Sequence, residues 1–238
     1  MYRILYKEKA LLYDERKSFD LNMSIAIDGP AGAGKSTIAK KLSKIYDLMY
    51  INTGAMYRTV TFVALKNNVL PSEVKALQQL VINLNMHFEN DRLFLDGVDI
   101  NDELTTPYIS NNVSIYAAVP EVREILVKLQ EDMAGKYDVI MDGRDIGTVV
   151  LKNSKFKFFL TATAKERAKR RFEEFKNNGI EVNFNDILND IIKRDYIDTH
   201  RETNPLTKAI DAIVIDSSFM NIDQVVQCIF KHIEKLKV

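Results

Sequence analysis

Cysteine and histidine are scarce in this chain, and net charge is absent. The 238 residues contain one cysteine, Cys228, and three histidines, His87, His200 and His232. A single thiol excludes an internal disulfide and suits a reducing compartment. Cys228 lies between Val225 and Ile229 in an apolar-periodic stretch, so it reads as a buried core thiol rather than a nucleophile. The histidines are scattered, with no second ligand at metal spacing, which argues against a zinc site. Thirty-three Lys and Arg cancel 33 Asp and Glu, so no global basic field favours nucleic acid. No run of 18 apolar residues occurs, and a helical membrane span is not expected. Internal repeats and low-complexity tracts are missing too.

What is present suits a globular α/β domain: 46% of residues are apolar and 28% charged. Balanced charge and the lack of a long exposed apolar run make a soluble monomer the expectation, with a cytoplasmic location. Residues 1–22 are densely charged without an adequate apolar segment, so they do not read as a secretory signal. Met23, just before the first strand, would make a natural initiator. Residues 1–22 are therefore expected to be a non-native extension or a loosely docked helix.

The strongest signal is Gly29-Pro30-Ala31-Gly32-Ala33-Gly34-Lys35-Ser36, which fits G-x-x-x-x-G-K-[ST] at every fixed position. Gly29, Gly32 and Gly34 let backbone N–H groups turn inward around a phosphate. The helix opening at Lys35-Ser36-Thr37 aims its free N–H groups at the same place. Lys35 supplies a cation for the β- and γ-phosphates, and Ser36 a hydroxyl for Mg²⁺. The context agrees, because an apolar strand precedes the motif and Ile38, Leu42 and Ile45 follow with helical spacing. A dinucleotide-binding G-x-G-x-x-G fails, since its last glycine position holds Thr37. The motif implies a nucleoside triphosphate, with ATP as donor.

Strands are expected over 24–27, 48–51, 138–141, 155–160 and 211–215, and helices over 35–46, 55–67, 72–84, 119–134, 163–177, 185–196 and 221–235. Such alternation predicts a mostly parallel sheet covered on both faces. Residues 86–100 break the rhythm and read as short antiparallel strands joined at Asn90-Asp91 and Asp96-Gly97. Roughly 68–112 is read as an insertion near the substrate site.

A phosphate loop is shared by switches, motors and kinases, so a second substrate must be sought elsewhere. Thr53-Gly-Ala-Met-Tyr-Arg58 and Asp142-Gly-Arg144-Asp145 each follow a strand, at the edge where open α/β sheets bind ligands. Arg194, Asp198 and Arg201 recur at i, i+4 and i+7. Taken singly, Arg58 fits a solvated helix residue, Asp142 and Asp145 fit an Asx turn, and Arg194 with Asp198 fits a surface ion pair. Lys165, Arg167, Arg170 and Arg171 likewise fit an exposed basic face. Together the arginines collect at one edge of a neutral protein, and their planar forks suit bidentate grip on phosphate. A kinase for another small acceptor such as shikimate, gluconate or a different nucleotide, and a nucleotide-dependent switch or binding module without transfer activity, stand as alternatives.

The combination of Thr53–Arg58, Asp142–Val150 and Arg194–Arg201 with the phosphate loop resembles the bacterial cytidylate kinases, a nucleoside monophosphate kinase group. The resemblance spans nearly all of 23–238. It departs at Asn52, where the family usually carries Asp. The resemblance implies a P-loop NTPase-type parallel five-stranded sheet with helices on both faces, a monophosphate-binding insertion at about 68–112, and a mobile lid at about 163–182. It implies phosphoryl transfer from Mg-ATP to CMP or dCMP. Arg58, Arg144 and Arg201 would hold the monophosphate with Arg194 alongside. Ser114, Arg123 and Asp145 would read cytosine, and Thr53 and Asp198 would face the sugar. Arg167 and Arg171 would belong to the lid over ATP. Asp142, ending a strand as a Walker-B acid does, is a candidate for orienting magnesium-bound water.

Overall fold

In the computed structural model, residues 23–89 and 91–237 are described. The expectations for residues 1–22, and the Asn90 half of the Asn90-Asp91 turn, lie outside the described residues.

The chain opens with β1 (Ser24–Asp28), α1 (Lys35–Tyr46), β2 (Met49–Asn52) and α2 (Thr53–Lys66). After α3 (Val74–Ile82) come three short strands, β3 (Met86–Glu89), β4 (Arg92–Leu95) and β5 (Val98–Asp99). Two helices, α4 (Asn101–Leu104) and α5 (Pro107–Tyr116), lead to α6 (Pro120–Ala134) and β6 (Val139–Gly143). A π-helical turn, Ile146–Val150, precedes β7 (Phe156–Thr161), α7 (Ala164–Asn177), α8 (Phe184–His200), β8 (Ile213–Asp216) and α9 (Ile222–Lys237).

Five strands form a wholly parallel sheet in the order β2-β6-β1-β7-β8. Side-chain alternation divides the interior into two cores, since successive residues of a strand face opposite sides. Ala26, Met49, Ile51, Val139 and Met141 join one core with Met56 and Val60 of α2 and Val122 and Leu126 of α6. Ile25, Ile27, Tyr50, Ile140, Phe158 and Leu160 join the other with Ile38 and Leu42 of α1 and Val225, Ile229 and Ile233 of α9. Helices α7 and α8 bury a third, small cluster of Ala168, Phe175, Ile187 and Ile191.

Strands β3-β4-β5 form an antiparallel sheet. Asp96 and Gly97, at φ 51° and 81°, make its second turn, as the Asp-Gly pair predicts. Met86, Phe88 and Leu93 pack into the first sheet core, so this segment shares a core with the main body.

Two expectations are corrected. Sequence periodicity missed α5, although Thr106 caps it and Pro107 takes its first position, a recognisable start signal. Cys228 is half-buried at the edge of the second core rather than inside it.

Asn52 has a visible structural job: its Oδ1 accepts from the Ala55 N–H at 2.9 Å and caps α2. Asn52→Ala should lower unfolding free energy by about 0.5–2 kcal/mol, and Asn52→Asp, which keeps the acceptor, by less. Urea titrations of the two variants check this. The same titration should show Ile229→Ala, a fully buried side chain, costing about 2–5 kcal/mol. Ile210→Ala, at 98% exposure, should stay within about 0.5 kcal/mol.

Candidate active site

Parallel pairing brings the carboxyl ends of the strands to one edge. Asn52 and Ile27 flank Asp142, Asp28 lies beside Gly143, and Thr161 lies beside Asp216. The chain passes from β1 to β2 on one side, and later from β6 to β7 on the other side of β1. A crevice opens at such a switch point.

The phosphate loop fills that crevice between β1 and α1. Gly29 has φ 146°, and a Cβ there would sit 1.9 Å from the Leu160 carbonyl oxygen, so no other residue fits without moving the loop. Lys35 Nζ donates to the Pro30 carbonyl at 2.8 Å, across the loop's own concavity. Burial pushes its ammonium well below the usual lysine range; Arg144 and Arg194 add to that and Asp142 opposes it.

Asp142 is the meeting point of several elements. Ser36 Oγ donates to its Oδ2 at 2.9 Å and Tyr50 Oη to its Oδ1 at 2.7 Å. Thr53 Oγ1 donates to its backbone carbonyl at 2.7 Å. Tyr50 was not singled out from the sequence, where it reads only as a strand residue. Burial and the Asp142 charge push its phenol well above the usual range, so it acts as a donor.

Opposite the loop stands a cluster of arginines around one carboxylate. Arg144 Nε donates to Asp198 Oδ2 at 2.7 Å, while Arg194 Nε lies 4.0 Å from the same oxygen. The Arg194–Asp198 helix pair is therefore the weaker contact, and the shorter bond to Oδ2 is made by Arg144. Ser114 Oγ donates to Asp198 Oδ1 at 3.4 Å. Arg58 Nε and Arg194 Nε are both buried without a hydrogen-bond partner. Burial lowers the affinity of both guanidiniums for their protons, with Arg144 adding to it in each case; Asp142 opposes for Arg58 and Asp198 for Arg194. For Asp198, burial acts to raise the carboxyl, and Arg144 and Arg194 outweigh it to leave it low.

Beside this cluster lies a buried polar group. Arg123 is 1% exposed. Its Nη2 donates to Asp145 Oδ2 at 2.5 Å and its Nη1 to the Ala117 carbonyl at 3.0 Å, and its guanidinium lies over the Tyr57 ring. Arg201 reaches Asp145 Oδ1 at 3.7 Å and donates to the Asn204 carbonyl at 2.8 Å.

The basic residues of α7 divide into separate roles. Arg167 is buried behind the phosphate loop, donating to the Ala31 and Ala162 carbonyls and pairing with Asp195. Arg170 donates to Ser217 and to the Ala33 carbonyl. Arg171 turns the other way, to Ser110 Oγ of α5 at 3.0 Å, and stacks on Phe175. The reading of these residues as only an exposed basic face does not hold for Arg167.

Asp28 also escaped the sequence reading. It is 3% exposed, and its two oxygens accept from the Ile146 and Gly147 N–H groups at 2.8 and 2.7 Å. The available signal was an acid ending an apolar strand directly before the glycine loop.

The cytidylate kinase of Clostridium acetobutylicum is 60% identical over 215 residues, covering 90% of this chain and 99% of that protein. The cytidylate kinase of Clostridium perfringens is 59% identical over 213 residues, covering 90% and 98%. An uncharacterized protein from Eubacterium ventriosum has a similar fold, at 16% identity and a TM-score of 0.50, over 90% of this chain and 99% of its own. A sequence model of the cytidylate kinase family matches residues 25–235, and the chain belongs to that family.

Proposed function

We infer that this chain transfers the γ-phosphoryl group of ATP to CMP or dCMP, giving ADP and CDP or dCDP. The observation that carries the reading is the pair of facing anion sites on one sheet edge. The phosphate loop with Lys35 lies on one side, and on the other stand Arg58 and Arg194, whose Nε groups are buried without a partner, with Arg144 paired to Asp198.

An acceptor that is already a phosphate needs no general base, and the task reduces to alignment and charge dispersal. In this reading Gly29–Thr37 hold the ATP phosphates, with Lys35 moving from the Pro30 carbonyl to the transferring group. Arg58, Arg144, Arg194 and Arg201 hold the acceptor phosphate. Thr53 and Asp198 face the sugar, and nothing there excludes a 2′-deoxy ring. Residues of about 68–112 form the acceptor insertion. The 163–182 segment with Arg167 and Arg171 forms the lid, whose closure excludes water.

The donor set fits magnesium. Ser36 Oγ and Asp142 Oδ2 are 2.9 Å apart, and the described residues contain no group of three or more His, Cys, Asp or Glu that could cage a metal. One hydroxyl and one carboxylate suit an ion that keeps waters and takes substrate oxygens. Ser36 and Asp142 would hold it, directly or through water, and it would neutralise charge on the β- and γ-phosphates.

Asp145, fixed by Arg123, would accept from the cytosine N4 amino group, with Arg123 or Ser114 donating to N3. Uracil would turn a carbonyl toward that carboxylate, a mismatch of about 1–3 kcal/mol. The reading also carries a monomer without nucleic-acid partners, acting in the cytoplasm. In support, the net charge is zero, and no helix among the described residues is long and apolar enough to cross a membrane.

Coupled ADP-release assays with CMP, dCMP, UMP, AMP and GMP test the whole reading. Fast turnover with CMP and dCMP and roughly tenfold or more less with UMP is expected, matching a mismatch above about 1.4 kcal/mol. Equal UMP turnover would remove the base readout, and no transfer by protein that binds ATP would favour another acceptor or a switch. Asp142→Asn should raise the magnesium concentration needed for half-maximal rate and for magnesium-dependent ATP binding. Unchanged magnesium dependence of both would refute the role given to Asp142.

A further inference from the structure

Arg144 and Asp145 form a dipeptide between two fixed points, and the same residue makes both. On one side Gly143 is the sheet partner of Asp28 in β1. On the other, the Asp28 carboxylate binds the N–H groups of Ile146 and Gly147 at the head of the π-helical turn. Asp28 is also the residue immediately before Gly29, where the phosphate loop begins.

We propose that Asp28 is a positioning residue for phosphoryl transfer: its backbone and carboxylate clamp the Arg144-Asp145 dipeptide at both ends and set it against the phosphate loop. The proposal rests on the reading that Arg144 and Asp145 hold the CMP acceptor. Both oxygens of Asp28 are engaged by backbone N–H groups, and its effect is exerted through those two bonds.

The arrangement is not one that stability alone would select. A carboxylate in this setting pays a heavy desolvation cost, and burial pushes its carboxyl up to about 6, helped by Asp145 and opposed by the two N–H bonds and by Lys35. An acid raised in the folded state favours folding when protonated, and that advantage is lost as pH rises through about 6. At neutral pH the ionised group therefore weakens the fold while giving acceptors to two N–H groups. Asparagine has nearly the same shape but one acceptor, so one N–H loses its partner while the buried charge disappears. These two effects on stability oppose each other.

The test compares wild type with Asp28→Asn in CMP kinetics, in equilibrium binding of ATP without acceptor, and in thermal unfolding at neutral pH. The expected result is a fall in kcat/KM for CMP of about 10- to 100-fold, the scale of a misplacement near one ångström. ATP affinity should stay within about threefold, a free-energy change under about 1 kcal/mol, and the thermal midpoint should not fall with activity. Gly147→Ala supplies a second variant, since a Cβ there would lie 3.2 Å from Asp28 Oδ2 and 3.3 Å from Lys157 Cδ. It should reproduce the loss on the CMP side. Wild-type CMP kinetics in Asp28→Asn would overturn the proposal. So would parallel losses of ATP affinity, CMP turnover and thermal midpoint in both variants, which would mark Asp28 as a structural support only. Failure of the functional reading is separately visible, because wild type itself would then not phosphorylate CMP.

Discussion

The constraint on which the site depends is an excess of buried positive charge that the protein only partly answers. Arg58, Arg194 and Lys35 have all been pushed down by burial and by neighbouring guanidiniums. Asp198 and Asp142 are the nearby counter-charges, and each is already engaged, by Arg144 and by Ser36 and Tyr50. Leaving such donors unmatched is costly in a folded interior. A dianionic ligand, as proposed for this site, would reverse that cost and complete the electrostatics that folding leaves unfinished. The same charges would then disperse the transition-state charge without reorganising at the moment of transfer.

Keeping those cations close requires a rigid frame, and the frame is the two-core sheet. Each of β1, β2 and β6 sends alternate side chains to opposite cores, so none can slip by one residue without reversing both faces. That register fixes Asp142 between Ile27 and Asn52, and Gly143 beside Asp28. Functional side chains at the strand ends inherit their relative positions from apolar packing below them. The position of Asp142 is thus decided largely by Ile140 and Met141, both fully buried.

Local order was the part of this arrangement legible in the sequence. The phosphate loop, the two-residue Asp96-Gly97 turn and the helix periods all depend on residues within about one turn of each other. The five strands lie within a few residues of where apolar runs suggested them. Segments around Arg58, Arg144 and Arg194 were legible as strand-end or helix-face positions, yet their partners were not. Arg144 pairs with Asp198, 54 residues away, and Ser36 with Asp142, 106 residues away. Such pairings are products of sheet order and leave no period in the chain. Asp28 and Tyr50 were overlooked for the same reason, because their roles consist wholly of long-range bonds. The π-helical turn at Ile146–Val150 was also invisible, since its bonds to Asp28 are supplied from outside the segment.

The segment of the proposed lid packs apart from both sheet cores. Helices α7 and α8 bury their own small cluster and contribute nothing to either sheet core. Helix α7 reaches the phosphate loop through Arg167 and Arg170 and α5 through Arg171, while α8 reaches Ser114 and Arg144 through Asp198. Polar contacts of this kind can be exchanged for contacts to nucleotide phosphates with little net change, because a guanidinium gains a stronger partner in a phosphate than in a carbonyl or hydroxyl. Displacing α1 or α9 would instead uncover a continuous apolar face. The proposed lid movement would therefore fall to the α7–α8 pair, whose arginines contact the phosphate loop and α5. A closing movement of this pair would tighten the loop and the acceptor side together, which is what in-line transfer between two anions demands.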